Sequence, residues 1–145
     1  MGVEISVVED VTDEVVKAFG RLLPQLSRSA EPLDAEALRT LIGWQGNRLL
    51  VARVDGEIMG ALTLVMFPIP TGLRAWIEDV VVDEAARGRG AGEALTREAV
   101  RLARVAGART VDLTSRPSRA AANRLYERVG FQLRDSKVYR LTGEH

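Results

Sequence analysis

The sequence predicts an α+β (mixed α/β) fold in which helices cover both faces of a mixed sheet. Three observations lead there. Apolar runs bounded by turn residues alternate with stretches of helical periodicity. Their order is strand, two helices, three strands, helix, strand, helix and two strands, and a meander followed by strand-helix alternation argues for a mixed sheet. Finally, 145 residues fit a single domain, 1–145, able to bury a core without staples.

Val3 to Val8 reads as the first strand. Thr12 can cap a helix with Asp13 and Glu14 in its first turn and Val15, Val16, Phe19, Leu22, Leu23 and Leu26 at helical spacing. Pro24 is expected to bend or end it. Ser27 to Pro32 is a polar loop, and a short helix from Asp34 buries Leu38, Leu41 and Ile42. Leu49 to Val54 and Ile58 to Phe67 form a hairpin around Asp55-Gly56, a pair suited to positive φ. After the breakers Pro68 to Gly72, Ala75 to Val82 is another strand, followed by a loop from Asp83 to Arg89. From Gly90 to Ala106, Ala91, Leu95, Ala99, Leu102, Ala103 and Ala106 make one stripe, opposite Glu93, Arg97, Arg101 and Arg104, and Gly107 ends the helix. Val111 to Thr114 is a short strand. Ser118 can cap a helix over Ala120 to Val129, closed by Gly130, and Phe131 to Leu133 and Val138 to Leu141 read as two antiparallel strands.

Composition narrows the chemistry. With 46% apolar and 28% charged residues and no apolar run of membrane-spanning length, the chain reads as soluble, with no membrane partner. Met1-Gly2-Val3-Glu4 is no secretory signal, so a cytoplasmic location is expected. There is no cysteine, and the one histidine, His145, is the final residue. Disulfides, thiolate or zinc sites and Ser-His-Asp or Cys-His catalysis are therefore excluded, leaving a carboxylate, tyrosine, lysine or water as base. Residues 1–72 carry 6 Lys+Arg and 10 Asp+Glu, and residues 73–145 carry 14 and 10. The −4 and +4 halves suit a polyanionic ligand on the second half, or simply a solvated arginine-rich face. Aromatics at 5% argue against a nucleic-acid partner.

Arg87-Gly88-Arg89-Gly90-Ala91-Gly92 lies between a strand and an amphipathic helix. Its glycines permit a tight turn and close approach of a ligand, and unpaired N–H groups at the helix start favour phosphate oxygens. Arg87 and Arg89 add charge-assisted donors. No lysine follows, as a P-loop would require, and Glu93 stands where a dinucleotide loop needs its third glycine. Asp112 lies about twenty residues on, where a ribose-binding acid would, yet Asp83 to Ala86 separate the loop from its strand. A glycine-rich turn without function is the plain alternative.

Arg-x-x-Gly-x-Gly after Val80-Val81-Val82-Asp83 resembles the acyl-CoA pyrophosphate motif of the GNAT superfamily of N-acetyltransferases. Asn123-Arg124-Leu125-Tyr126-Glu127-Arg128-Val129-Gly130-Phe131 is similar to that superfamily's second motif, and the element order resembles its whole fold. The resemblance implies a GNAT-like fold with a central, mostly antiparallel sheet of about seven strands. It implies acetyl-CoA as cosubstrate, with no metal, and transfer of the acetyl group to an amine by direct attack. Backbone amides of Gly88, Arg89, Gly90, Ala91 and Gly92 would hold the pyrophosphate, with the Arg87 and Arg89 side chains alongside. The edge of Val80, Val81 and Val82 would pair with the pantetheine arm, and Tyr126 would protonate the leaving thiolate. Family members often carry an asparagine where Arg119 stands, and Asn123, on the same helix face as Arg119 and Tyr126, can substitute. The alternative for Tyr126 is a core tyrosine with a satisfied hydroxyl.

Glu78 and Asp79 interrupt an apolar strand, where ionised carboxylates are costly unless paired, solvated or functional. Alternation puts them on opposite faces, with Trp76 on the face of Glu78 as core or acceptor-pocket wall. The stretch Ile77-Glu78-Asp79 resembles family members in which the glutamate takes the amine proton. A solvent-facing or ion-paired Glu78 is the alternative. The acceptor could be a small-molecule or peptide amine, walled by the first two helices, Ser27 to Pro32 and Pro68 to Gly72, and homodimers occur in the family. Two other readings stay open: a non-catalytic acyl-CoA-binding or regulatory module on the same fold, and a nucleotide-binding protein of dinucleotide type.

Overall fold

The computed structural model describes residues 2–143. One sheet runs in the order β1-β2-β3-β4-β5, from β1 (Val3–Val7), β2 (Asn47–Val54), β3 (Glu57–Ile69), β4 (Gly72–Val82) and β5 (Thr110–Asp112). The first four strands pair antiparallel, and β5 joins β4 in parallel. Among the described residues there are four α-helices, α1 (Asp13–Leu26), α2 (Ala35–Gly43), α3 (Ala91–Val105) and α4 (Ala120–Val129); the first three pack on the sheet and α4 packs on α3.

Local chemistry explains most boundaries. The Val15 amide donates to Thr12 Oγ1 at 3.3 Å and the Ala37 amide to Asp34 Oδ1 at 2.8 Å, so both expected caps form. Pro24 stands in the last turn of α1, and the helix closes two residues later at Leu26. Asp55 and Gly56 take φ of 52° and 84°, the positive pair that a two-residue hairpin needs. Pro68 to Gly72 do not form a separate breaker loop: Pro68 lies in the ladder opposite Leu73, and only Pro70 and Thr71 turn the chain. Gly107 and Gly130 end α3 and α4 with positive φ, as expected. Arg119 rather than Ser118 precedes the first turn of α4, and no side chain caps it.

The sheet separates two cores. On one face Leu50, Ala52, Leu62, Leu64, Ala75 and Ile77 meet Ala91, Leu95, Ala99 and Ala103 of α3. On the other, Leu49, Val51, Ile58, Ala61 and Val81 meet Val15, Ala18, Phe19 and Leu22 of α1 and Leu38 of α2. Full burial of a leucine such as Leu22, Leu38 or Leu95 contributes ~1.5–3 kcal/mol each. Thr96, also fully buried, donates its hydroxyl to the Gly92 carbonyl at 2.8 Å, so the polar group is satisfied within its own helix.

The C-terminal reading is corrected. Phe131 to Leu133 and Val138 to Leu141 form no strands among the described residues, so the sheet has five strands rather than about seven. β5 is also shorter than expected, and Leu113 and Thr114 lie beyond its ladder. Both runs have strand composition, but a two-stranded ribbon with no buried face is marginal in water, and this stretch touches too little of the core to order as sheet.

Leu95 closes α3 onto the sheet, its Cδ1 only 3.3 Å from where a Cβ on Gly60 of β3 would lie. Leu95→Ala is expected to cost ~3 kcal/mol through lost burial and a residual cavity, read as a lowered denaturant midpoint with an unchanged slope.

Candidate active site

The site begins with an irregularity in β4. Thr63 faces Glu78 and Ala61 faces Val81, so Asp79 and Val80 together oppose the single residue Leu62. This is a β-bulge, and Asp79 takes φ of 51° to make it. Ile77 and Val81, four residues apart, would share a face of a regular strand, yet Ile77 enters the α3 core and Val81 the α1 and α2 core. Strict alternation therefore fails at Glu78 and Asp79. The expectation of opposite faces from regular alternation is corrected by the bulge, and Glu78 and Asp79 both border one cavity of about 200 Å³.

That cavity opens where β4 and β5 part. Their ladder covers only Arg74 to Trp76 against Thr110 to Asp112. Arg74 Nη2 holds Asp112 Oδ2 at 2.6 Å beside it. The acid considered for a ribose is thus engaged in pinning the two strands together. Past this clamp, Ile77 to Val82 have no strand on the β5 side among the described residues. Glu78, Asp79 and Val80 form one wall of the cavity, and Leu113, Thr114, Arg119 and Tyr126 the other.

At one end of the exposed β4 edge lies the glycine loop. Asp83 caps a short 3-10 turn over Glu84–Ala86, after which Gly88 and Gly90 take φ of 81° and 85°. A Cβ at either would meet nothing within 4 Å, so the need for glycine is conformational rather than steric. Gly90 precedes α3 without any side-chain cap, and the first helical bond runs from the Ala94 amide to the Gly90 carbonyl at 3.0 Å. The amides of Ala91, Gly92 and Glu93 consequently have no acceptor within the helix and sit at its positive end. Arg87 is exposed 3.9 Å from Glu84, and Arg89 reaches Asp55 of the β2–β3 turn at 3.1 Å. Exposed pairs of this kind are weak, so either guanidinium can turn to an incoming anion. The Glu93 carboxyl is held below its usual range by hydrogen bonds from Arg97 and Arg128, which hold its charge.

At the other end stands Tyr126 on α4. Its ring is 9% exposed and meets Phe131 edge to face, centroids 6.0 Å apart. Burial raises the phenol's pKa, and the charge of nearby Arg119 opposes the shift. The hydroxyl makes no hydrogen bond to another described residue, which leaves it free to serve a ligand. Burial likewise raises the pKa of Glu78, reinforced by the Asp79 charge and opposed by Arg140.

The structure thus gathers Glu78, Val80, Arg119 and Tyr126 around one cavity, with the glycine loop at the end of the same strand. The Val81 side chain is buried in the core on the opposite face, while the β4 backbone past Trp76 has no strand paired to it on the β5 side among the described residues. Asn123 does not join the wall: its side-chain amide donates to the Arg116 carbonyl at 3.2 Å and closes the turn before α4. Arg119 precedes that helix instead of lying on it, so the shared helix face expected for Arg119, Asn123 and Tyr126 does not form. Leu26, Leu113 and Thr114 complete the wall and were not singled out from sequence. The only hint of the last two was that the strand signal ran to Thr114, past the observed ladder. Trp76, half-buried, faces Asp112 across the ladder below the cavity. A second, apolar cavity of about 40 Å³ lies under α1 and α2 and shares Leu26 and Asp79 with the first. Among the described residues, no three His, Cys, Asp or Glu side chains gather as a metal site, and no helix is long and apolar enough to cross a membrane.

Because Glu78 holds its proton more tightly in the folded than in the unfolded chain, its contribution to stability is full below the ordinary carboxylate range and is lost as pH rises through the raised value. Glu78→Gln stays neutral throughout. It should melt above the parent protein at neutral pH, and the difference should vanish in acid; thermal unfolding across that range checks the sign.

Comparison with known proteins agrees with this architecture. No protein of curated description matches the chain. Among solved structures, an acetyltransferase of Trypanosoma brucei is 27% identical with a TM-score of 0.76, over 97% of this chain and 99% of that one. A transcriptional regulator of Bacillus halodurans C-125 is 28% identical with a TM-score of 0.75, over the same shares. Glucosamine-6-phosphate N-acetyltransferase of Arabidopsis thaliana, at 19% identity and a TM-score of 0.79 over 97% and 99%, shares the fold. The model of the acetyltransferase (GNAT) family matches residues 11–131, from the α1 cap through Phe131 beyond the second motif, and the chain belongs to that family.

Proposed function

We propose that this protein is an acetyl-CoA-dependent N-acetyltransferase that moves the acetyl group directly from thioester to amine. The observation that carries the reading is the free edge of β4, which runs from a helix N-terminus with unpaired amides to a cavity holding a protonated phenol and an unpaired carboxylate. These features fit the coenzyme in sequence: amides of residues 88–92 for the pyrophosphate, the backbone of Val80 to Val82 for the amide-bearing arm, and the cavity for the thioester.

Acetyl-CoA supplies the activated acyl carbon when bound. The chain's own groups then divide the work. A main-chain N–H near Val80 polarises the thioester carbonyl. Glu78, its pKa raised by burial and by the Asp79 charge, takes a proton from the attacking amine as the N–C bond forms. Tyr126, kept protonated by burial, gives its proton to the sulfur as the C–S bond breaks. The two carboxylates of the bulge also attract a cationic amine, whether a small molecule or a peptide. No covalent enzyme intermediate is needed, in keeping with a chain that has no cysteine.

The fold similarity to a transcriptional regulator favours, as a second reading, a module that binds acyl-CoA without turning it over. A thermal-shift titration with acetyl-CoA, followed by an acceptor panel reporting free thiol, separates the two: binding without thiol release on any amine supports the module, and no binding sinks both. Tyr126→Phe is expected to lower kcat by ~100-fold or more while leaving acetyl-CoA affinity nearly unchanged. An equal loss of both would remove the acid role. Gly90→Ala, forced into a left-handed conformation, should cost ~1 kcal/mol of stability and weaken acetyl-CoA binding. Unchanged affinity in that variant would place the pyrophosphate elsewhere.

A further inference from the structure

The two cavities meet at Leu26 and Asp79, the residues that line both. The smaller one, of about 40 Å³, is apolar: eight of its ten lining residues are, with Thr63 and Asp79 as the exceptions. Leu23, Leu26, Leu33 and Leu41 stay only half-buried there, although Leu22 and Leu38 of the same core are buried completely. This end of the core is thus left unfilled. An apolar cavity stays dry and takes an apolar guest, and at roughly 10–15 Å³ for a water this one has room for about three non-hydrogen atoms.

The faces of the sheet decide which ligand reaches it, given the transferase reading above, on which this inference rests. In that reading the coenzyme is held by the start of α3 and by Tyr126 of α4. α4 packs on α3, and α3 covers one face of the sheet. The small cavity lies on the other face, among Phe19, Leu49 and Val81 of the core under α1 and α2. The coenzyme therefore comes to the bulge from the α3 side, and the α1 side is left to the acceptor. Asp79 stands at the junction without an ion pair among the described residues and draws the acceptor's ammonium there. A substituent on that nitrogen then meets Leu26 and the apolar walls behind it. A hydroxyl or second charge pushed into the cavity would lose its water and find only Thr63 and Asp79 as partners.

We propose that the acceptor is an aliphatic amine whose nitrogen sits at Asp79 and whose alkyl tail, about four carbons long with about three of them inside, fills the cavity under α1 and α2.

Straight-chain amines from methyl to octyl have nearly the same basicity, so a rate series on them reports the pocket and not the nucleophile. With acetyl-CoA as donor and thiol release as the readout, kcat/KM should rise about fourfold per carbon up to butylamine or pentylamine and then level or fall. The hydroxylated isostere of butylamine, 3-aminopropanol, should be poorer by about tenfold or more. Leu33→Ala should move the optimum to longer amines and Leu33→Phe to shorter ones, in protein whose melting curve shows it folded. The same amines titrated by calorimetry into protein saturated with free coenzyme A, which has no acyl group to transfer, should show the same optimum in affinity. Affinity that follows this profile with no thiol released would remove the transferase reading and leave the amine pocket standing. Thiol release without dependence on chain length, a rate still climbing at octylamine, preference for the hydroxylated isostere or an optimum unmoved in both Leu33 variants would overturn the proposal and leave the transferase standing. A length optimum among acyl-CoA esters in place of amines would give the cavity to the acyl chain and overturn it as well. Neither binding nor release with any amine would remove both.

Discussion

The site depends on one backbone accommodation, the extra residue in β4 that places Asp79 at positive φ. Its cost, of order 1 kcal/mol for an aspartate held there, is met because β4 is fixed on both sides of the bulge by pairing with β3 and by burial in both cores. Ile77 cannot leave the α3 core, and Val81 cannot leave the core under α1, without exposing apolar surface. The chain between them must therefore bend, and bending turns the β4 edge away from β5. The cavity, the unpaired edge and the pair of carboxylates at its mouth all follow from that bend.

Around it the fold supplies rigid positions. The Arg74–Asp112 pair holds the two strands together just where their ladder ends, and Arg119 and Tyr126 border the gap beyond it. The electrostatics are local. Two acids at the bulge carry no ion pair among the described residues, whereas the arginines of the glycine loop are spent on weak exposed partners. A cation is drawn to one end of the groove and an anion to the other. The acids and the arginines both belong to the second half of the sequence, so the charge division within the groove is a local one that the balance between the two halves does not reveal.

Much of this was legible in the sequence where local chemistry decides the outcome. Thr12, Asp34, Asp55-Gly56, Gly107 and Gly130 each act through their own backbone, and each took the role its residue type predicts. The glycine loop and Tyr126 stand out in the sequence because both motifs are contiguous in the chain. What escaped was set by tertiary pairing. No residue between Ile77 and Val82 announces a bulge, since any side chain can be the extra one, and so Glu78 and Asp79 were placed on opposite faces. Asn123 was misplaced because the turn at Arg116 competes for its amide, which helical spacing does not reveal. Phe131 to Leu133 and Val138 to Leu141 are strand-like in composition, but strands need a paired neighbour, and neither run is paired into the sheet among the described residues.

The glycine loop has a broader meaning for how this surface could vary. Every amino acid except proline brings the same N–H group, so a grip made by main-chain amides constrains φ at Gly88 and Gly90 far more than it constrains the side chains around them. Arg87, Arg89 and Glu93 could drift in charge or length, altering ionic-strength dependence and encounter rate, while the turn kept its hold. A site whose most exacting contact was of that sort would tolerate change around it, since the contact would be written in geometry shared by every residue type rather than in any particular functional group.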